Sequence, residues 1–225
     1  AEIFAINIED DMDDAAYSKL FEMASSSRRV KAKKFFQEID RKRCICAEAL
    51  VWFLAYKKYG LKNDEVQFSM NEYKKPFFIK PENQFFNLSH AGKWVICGWS
   101  QKEIGIDVEY MGDVDFNIAK RFFDRSEYMA IMNQKPENQI NMFYELWTLK
   151  ESYIKYKGTG LSMPLSSFKF EIDKNNIVLI SNDSNDSKLR FFRYSIDEKH
   201  KLSVCTVDCC VDNITYIKPE DILSI

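Results

Sequence analysis

The sequence predicts an α+β fold built as two lobes that meet near residue 105. Three observations carry this. Hydrophobic periodicity is helical up to Gly60 and strand-like after it, then helical again from 116 and strand-like beyond Pro164. Each half therefore runs strand, helices, then several strands. The chain of 225 residues is 46% hydrophobic, with 18 Phe, 11 Tyr and 4 Trp, enough apolar surface for a sizeable core without disulfide or metal staples. No convincing internal self-similarity is visible.

Residues 2–8 (EIFAINI) read as a strand. Ala16, Tyr17, Leu20, Phe21 and Ala24 then recur at helical spacing. Ser25–Ser27 can cap the next helix. A long amphipathic helix continues through Ala47, Leu50, Val51 and Leu54 to Gly60, a natural C-cap. Short strands follow at 65–69, 77–79, 84–89, 93–99 and 104–110. Helical pattern resumes at 116–122 and 125–132, where Asp124 and Glu127 have capping-box spacing. A strong helix spans 137–157 and stops at Gly158 and Gly160, with Pro164 beyond. Strands are expected at 167–172, 176–181, 189–196, 202–208 and 214–217, and a helical tail after Pro219. SNDSNDSK (181–188) reads as a polar loop or hairpin end.

Composition excludes several classes. Ample hydrophobicity and a net charge of −2 exclude disorder. The pI near 5.9 argues against a general nucleic-acid binder. Two histidines, His90 and His200, cannot make a three-His zinc site. No run approaches the roughly 18 apolar residues of a membrane span. The acidic start AEIFAINIEDDMDD lacks the pattern of a signal peptide. The cysteines (44, 46, 97, 205, 209 and 210) show no C-x-x-C spacing, and Cys44, Cys46 and Cys97, in apolar segments, read as small buried hydrophobes of a reducing cytoplasm. Charge is unevenly spread. Positions 2–14 hold six acids and no base, whereas 28–43 hold eight bases against two acids, a local +6.

Six of the seven glycines fall between 92 and 160, and three motifs lie in that region. In IGIDVEY (104–110), Asp107 and Glu109 project from one face of a strand, about 7 Å apart. Buried together they need a cation, and oxygen ligands alone suit Mg²⁺ or Ca²⁺. An edge strand with its polar face in water is the competing reading. In LWTLKESYIKYKGTGL (146–161), Glu151 and Lys155 share a helix face. A surface ion pair explains that spacing equally well. Combined with the first motif, Glu151 supplies a third carboxylate and Lys155 a cation, an arrangement suited to phosphoryl transfer. In FFNLSHAGKWVICGW (85–99), Ser89 and His90 are adjacent on extended chain and point to opposite sides, which disfavours a nucleophile–base dyad. Phosphate binding is preferred, against a hairpin turn with a solvated histidine.

Together, FNLSHAGKWVICGW, IGIDVE and FYELWTLKESYIKYKGTGLSMPLSSF resemble the surfactin-synthetase-activating (Sfp-type) 4'-phosphopantetheinyl transferases. RRVKAKKFFQEIDRKRCICAEALV, EYKKP (72–76) and RFFDRSEY (121–128) extend the likeness, which runs from about residue 28 to 170. The resemblance implies transfer of phosphopantetheine from coenzyme A to a serine of an apo acyl, peptidyl or aryl carrier protein, releasing adenosine 3',5'-bisphosphate. It implies two similar lobes, 1–104 and 105–225, related by a pseudo-twofold, with coenzyme A in the cleft between them, in a cytoplasmic monomer that binds neither nucleic acid nor membrane.

Residue by residue, the resemblance makes Asp107, Glu109 and Glu151 ligands of Mg²⁺, with Mn²⁺ as an alternative. Glu151 is the expected general base, directly or through a metal-bound water. Lys155 would neutralise charge on the transferring phosphate and donate a proton to the leaving bisphosphate. Lys150 belongs to the motif without an evident role, and Glu127 is expected near a metal water. Ser89 and His90 would contact coenzyme A phosphates. Arg28, Lys31 and Arg43 would serve the 3'-phosphate, and Tyr73 and Lys75 the adenine and ribose. Phe116, Ile118 and Phe122 are expected to meet the carrier, unless they are core residues of the second lobe. Two positions depart from the family: Lys74 stands where Gly is common, and Cys44 where a small hydroxyl residue is common. An Mg²⁺-dependent phosphohydrolase and a non-catalytic coenzyme A or carrier binder are the competing functions.

Overall fold

A computed structural model of the chain describes residues 1–173, 176–209 and 213–225. It opens with strand β1 (Glu2–Asn7) and helices α1 (Asp14–Met23), α2 (Ser26–Lys33) and α3 (Glu38–Tyr59). Strands β2 (Gln67–Met70), β3 (Pro76–Lys80), β4 (Phe85–Ala91), β5 (Trp94–Ser100) and β6 (Ile104–Tyr110) follow. Helices α4 (Asn117–Phe122), α5 (Arg125–Met132) and α6 (Pro136–Lys157) lead to β7 (Lys169–Asp173), β8 (Asn176–Ile180), β9 (Arg190–Tyr194), β10 (His200–Thr206), β11 (Ile214–Tyr216) and α7 (Pro219–Leu223). The α+β class and the element order agree with the sequence. No helix among the described residues is long and apolar enough to cross a membrane.

One four-stranded sheet has the order β11-β1-β5-β4, and a three-stranded sheet the order β6-β10-β9. Side chains of β1 alternate as a strand requires. Phe4 and Ile6 pack toward α1, α3 and α7, while Ile3 and Ala5 join Ile96, Ile104, Ile106, Val108 and Val204 in a second core between the sheets. β11 pairs in parallel with β1, so the end of the chain returns to the first sheet. The expected division at residue 105 takes no account of this return.

The two sheets are stitched by side chains. Asn87 Oδ1 accepts from the Ile106 N–H at 2.9 Å, and Ser89 Oγ accepts from the Val108 N–H at 3.1 Å. Both residues lie on β4, two positions apart and so on one face. They satisfy the free edge of β6 where a backbone ladder would otherwise be needed. The reading of β6 as an edge strand in water therefore fails.

Two helical expectations change. The chain from Ser25 to Gly60 is two helices, because Arg41 turns its guanidinium onto the carbonyls of Phe35 and Phe36 and stabilises the break there. α3 is not amphipathic along its length: every residue from Cys44 to Ala55 is buried, as in a helix covered on all sides. The polar segment 181–188 contains a short 3₁₀ turn, Ser184–Lys188, tied to α6 through Lys157 and Tyr153. α3 and α6 each have 22 residues and each end at a left-handed glycine, Gly60 and Gly158. Cys44, Cys46, Cys97 and Cys205 are buried and unbridged, Cys209 is exposed, and Cys210 lies outside the described residues.

Candidate active site

The site forms where α6 crosses β6. Gly105 makes the crossing possible, since a Cβ there would overlap the backbone of Ser152 and Tyr156. Alternation along β6 then sends Asp107 and Glu109 to the α6 side, opposite Ile104, Ile106 and Val108.

Asp107 is 3% exposed. Its Oδ1 accepts from Lys155 Nζ at 2.7 Å and from Ser89 Oγ at 3.1 Å. Its Oδ2 is buried and has no partner. Lys155 also donates to Ser89 Oγ at 2.9 Å. The lysine thus reaches across to β6, and the surface pair with Glu151 that its spacing allows is not formed. Burial raises the pKa of Asp107 against the opposing Lys155 charge. Glu109 is pushed to about 7 by burial and by Asp107, while a hydrogen bond from Trp147 acts the other way. Glu151 is raised by burial and by Asp107. Burial raises all three carboxylates, Asp107 further raises Glu109 and Glu151, and one buried oxygen is left over, so a hard cation would stabilise the set. Among the described residues, no three Asp, Glu, His or Cys side chains converge into a ready metal cage, these three included. The donor chemistry fits Mg²⁺, which takes one or two carboxylates and completes its shell with water and phosphate.

A cavity of ≈ 270 Å³ runs from Glu151 and Lys155 past Asn87 and Gly158 to Tyr73, Lys74 and Lys75. On its far side Asn71 Oδ1 accepts from the N–H groups of Tyr73 and Lys75, closing a tight turn. Lys74 is held there at φ +66°, the left-handed region that glycine adopts most easily. This is the physical content of the departure at position 74. Cys44 is buried, and its sulfur lies 3.9 Å from an Arg28 nitrogen.

The remaining expected residues divide. His90 is exposed, and Ser89 beside it is buried, as opposite faces of a strand require. The His90 pKa is lowered by loss of solvation, then by the Arg43 and Lys155 charges, so these three basic groups share one locality. Arg43 donates its Nε to the Gly92 carbonyl at 2.9 Å and pairs with Asp40. Arg28 pairs with buried Glu48, which also accepts from Ser25 at the start of α2. Lys31 is exposed on α2.

Four of the expected residues have partners within the protein. The Ser89 hydroxyl, expected at a phosphate, accepts from Val108 and Lys155 and donates to Asp107. Lys75 has its ammonium committed to Glu103 and to the carbonyls of Ile104 and Tyr156, so it lines the cavity without a free charge. Glu127, expected near a metal water, lies buried between α5 and α6. It forms a buried pair with Lys150 at 2.8 Å and accepts from the N–H groups of Phe170 and Asp124. Phe116 packs edge-on against Phe143 in the core, while Ile118 and Phe122 are exposed. Sequence reasoning missed Asn87, whose period-two spacing from Ser89 was the available signal. It also missed Trp147, and His200, which is buried beside Asp197.

Comparison with known proteins agrees with this arrangement. The family "4'-phosphopantetheinyl transferase superfamily" matches residues 103–205, and "4'-phosphopantetheinyl transferase, N-terminal" matches 12–101. A 4'-phosphopantetheinyl transferase of Bacillus subtilis is 33% identical over 98% of this chain and 99% of its own length. The chain belongs to the Sfp-type 4'-phosphopantetheinyl transferases. The transferase Sfp of Bacillus subtilis strain 168 is 32% identical over 98% of this chain and 99% of its own. The gsp transferase of Aneurinibacillus migulanus is 29% identical over 96% and 90%. The transferase fold thus comprises an N-terminal and a C-terminal family region, with Asp107, Glu109, Glu151 and Lys155 all in the latter.

Proposed function

We propose that this transferase activates carrier proteins by binding coenzyme A between its two family regions and moving the 4'-phosphopantetheine group onto a carrier serine. The observation that carries the site assignment is Asp107: one oxygen on Lys155, the other buried without a partner, beside Glu109 and Glu151. Asp107, Glu109 and Glu151 would hold the Mg²⁺, with Mn²⁺ as a substitute. Bound there, the ion would neutralise the coenzyme A pyrophosphate and polarise the phosphorus under attack.

The chain's own groups perform the rest. Lys155 stabilises charge building on the transferring phosphate and stands ready to protonate the departing bisphosphate. Glu151, with its raised pKa, accepts the proton of the incoming serine hydroxyl. Ser89 holds Lys155 and Asp107 in register. Arg43, His90, Lys31 and Arg28 form the basic end for the 3'-phosphate. The Tyr73–Lys75 turn closes the adenine end of the cavity.

Two lobes, 1–104 and 105–225, related by a pseudo-twofold, are supported by the matched 22-residue helices α3 and α6 and their glycine caps. With both lobes on one chain the enzyme is expected to act as a monomer. Ile118 and Phe122, exposed on α4 just after the carboxylate strand, are the proposed carrier contacts.

Incubation with coenzyme A, Mg²⁺ and apo carriers of the fatty-acid, polyketide and nonribosomal-peptide classes should add the mass of phosphopantetheine to at least one. Release of phosphate or phosphopantetheine without a carrier would point to hydrolysis instead.

A further inference from the structure

The second histidine has no part in the mechanism above, yet it is built into the molecule with care. His200 opens β10, is 4% exposed, and lies edge-on to Tyr110 at 5.2 Å. Its Nδ1 is 2.8 and 3.0 Å from the two oxygens of Asp197. Asp197 also accepts from Trp94 Nε1 at 2.8 Å and from the Lys199 N–H at 2.8 Å. The carboxylate can accept a proton carried on Nδ1, which orients the ring. The ring's Nε2 is buried without a partner and faces the Gly92 turn between β4 and β5. Gly92 has φ +49°, and a Cβ there would overlap the imidazole. The ring therefore forms the floor on which this turn rests.

The other side of the turn is Arg43. The Gly92 carbonyl accepts from Nε and from a second nitrogen of that guanidinium. Asp40 holds its third nitrogen at 2.8 Å. The direction of the Arg43 plane is thus set by where the Gly92 carbonyl points. A phenylalanine would fill the same floor without stranding a polar atom. What histidine adds is the Nδ1–H bond to Asp197, which fixes the angle of the ring.

We infer that His200, locked by Asp197, is a positioning residue that sets the Gly92 carbonyl and through it aims Arg43 at the phosphate of coenzyme A. This rests on the reading of Arg43 as a phosphate contact. The coupling runs through packed atoms and two hydrogen bonds, with no contact between His200 and the coenzyme.

The test is steady-state kinetics of the full chain with an accepted apo carrier, varying coenzyme A, for the wild type, Arg43→Ala, His200→Ala, Asp197→Asn and the double variant Arg43→Ala/His200→Ala. His200→Ala and Asp197→Asn should each raise KM for coenzyme A about fivefold and leave kcat and the carrier KM within about twofold. In the Arg43→Ala background, His200→Ala should add less than about twofold, since the group it positions is gone. Should His200→Ala fail to fold by circular dichroism, Asp197→Asn and its combination with Arg43→Ala carry the same comparison. An equal rise in KM with and without Arg43 overturns the inference, as does an unchanged KM in both single variants while Arg43→Ala raises it. An unchanged KM in Arg43→Ala itself would instead remove the phosphate reading of Arg43, and the inference with it.

Discussion

Asp107 gives one carboxylate oxygen to Lys155 at 2.7 Å and keeps the other buried and unpartnered. A carboxylate in that state is held half-satisfied, with one buried oxygen still able to accept. Asp107→Ala should lower carrier modification by at least about a thousandfold while the far-ultraviolet dichroism stays that of the wild type, because electrostatic groups aimed at developing charge supply large factors. Mass spectrometry of the carrier gives the readout, and full activity of this variant would refute the metal assignment.

Glu109 has the clearest pH signature. Burial and Asp107 raise it to about 7 in the metal-free protein, above its ordinary value. A native carboxyl with a raised pKa binds more protons than the unfolded chain does. Its contribution to stability is therefore full below the unfolded value and is lost as pH rises toward 7. Mg²⁺ competes with that proton. Thermal unfolding should show a larger stabilisation by Mg²⁺ at pH 8 than at pH 5.5, and equal stabilisation at both would argue against Glu109 as a ligand.

Lys74 sits at φ +66° in a turn closed by Asn71. Lys74→Gly removes the clash of Cβ with the following carbonyl and should stabilise the protein by roughly 0.5–1 kcal/mol, after allowing for the greater entropy glycine loses. Urea titration measures this directly. A destabilised variant would show that Lys74 makes a compensating interaction.

The Glu127–Lys150 pair is buried on both sides, 1% and 0% exposed, and binds the carbonyls of Leu165 and Phe168. Removing one partner strands the other, so Glu127→Ala should cost about 3–5 kcal/mol. Glu127→Gln with Lys150→Met should recover much of that. If the folded double variant still modifies carrier at near the wild-type rate, the pair is architectural, and a catalytic Glu127 would predict the opposite.

Ile118 and Phe122 are 36% and 46% exposed, whereas Phe116 packs edge-on against Phe143. Ile118→Ser and Phe122→Ser should raise KM for the carrier about fivefold or more and leave KM for coenzyme A unchanged. Phe116→Ser should act on the melting temperature. Kinetics with each substrate varied in turn separate these cases.

The sequence was most legible where local chemistry is self-sufficient. Glycine caps at Gly60 and Gly158, the capping box of Asp124 and Glu127, and the alternation of IGIDVEY all stand in the structure as periodicity and capping rules require. The opposite facing of Ser89 and His90 follows from the pleat alone.

Partnership is what local pattern could not decide. A carboxylate three residues into a helix caps it from sequence rules, but that Glu127 faces Lys150 depends on how α5 lies against α6. The sequence places Ser89 at a phosphate and Lys75 at the adenine end, but that β6 engages the Ser89 hydroxyl and Glu103 the Lys75 ammonium shows only in the fold. By itself the sequence determined the α+β class, the family and the residue types able to hold a cation and a phosphate. Only the tertiary structure decided which of those groups remain free. Side-chain hydrogen-bonding capacity is finite, and whether it is filled by protein or left for a ligand depends on contacts between segments far apart in the chain.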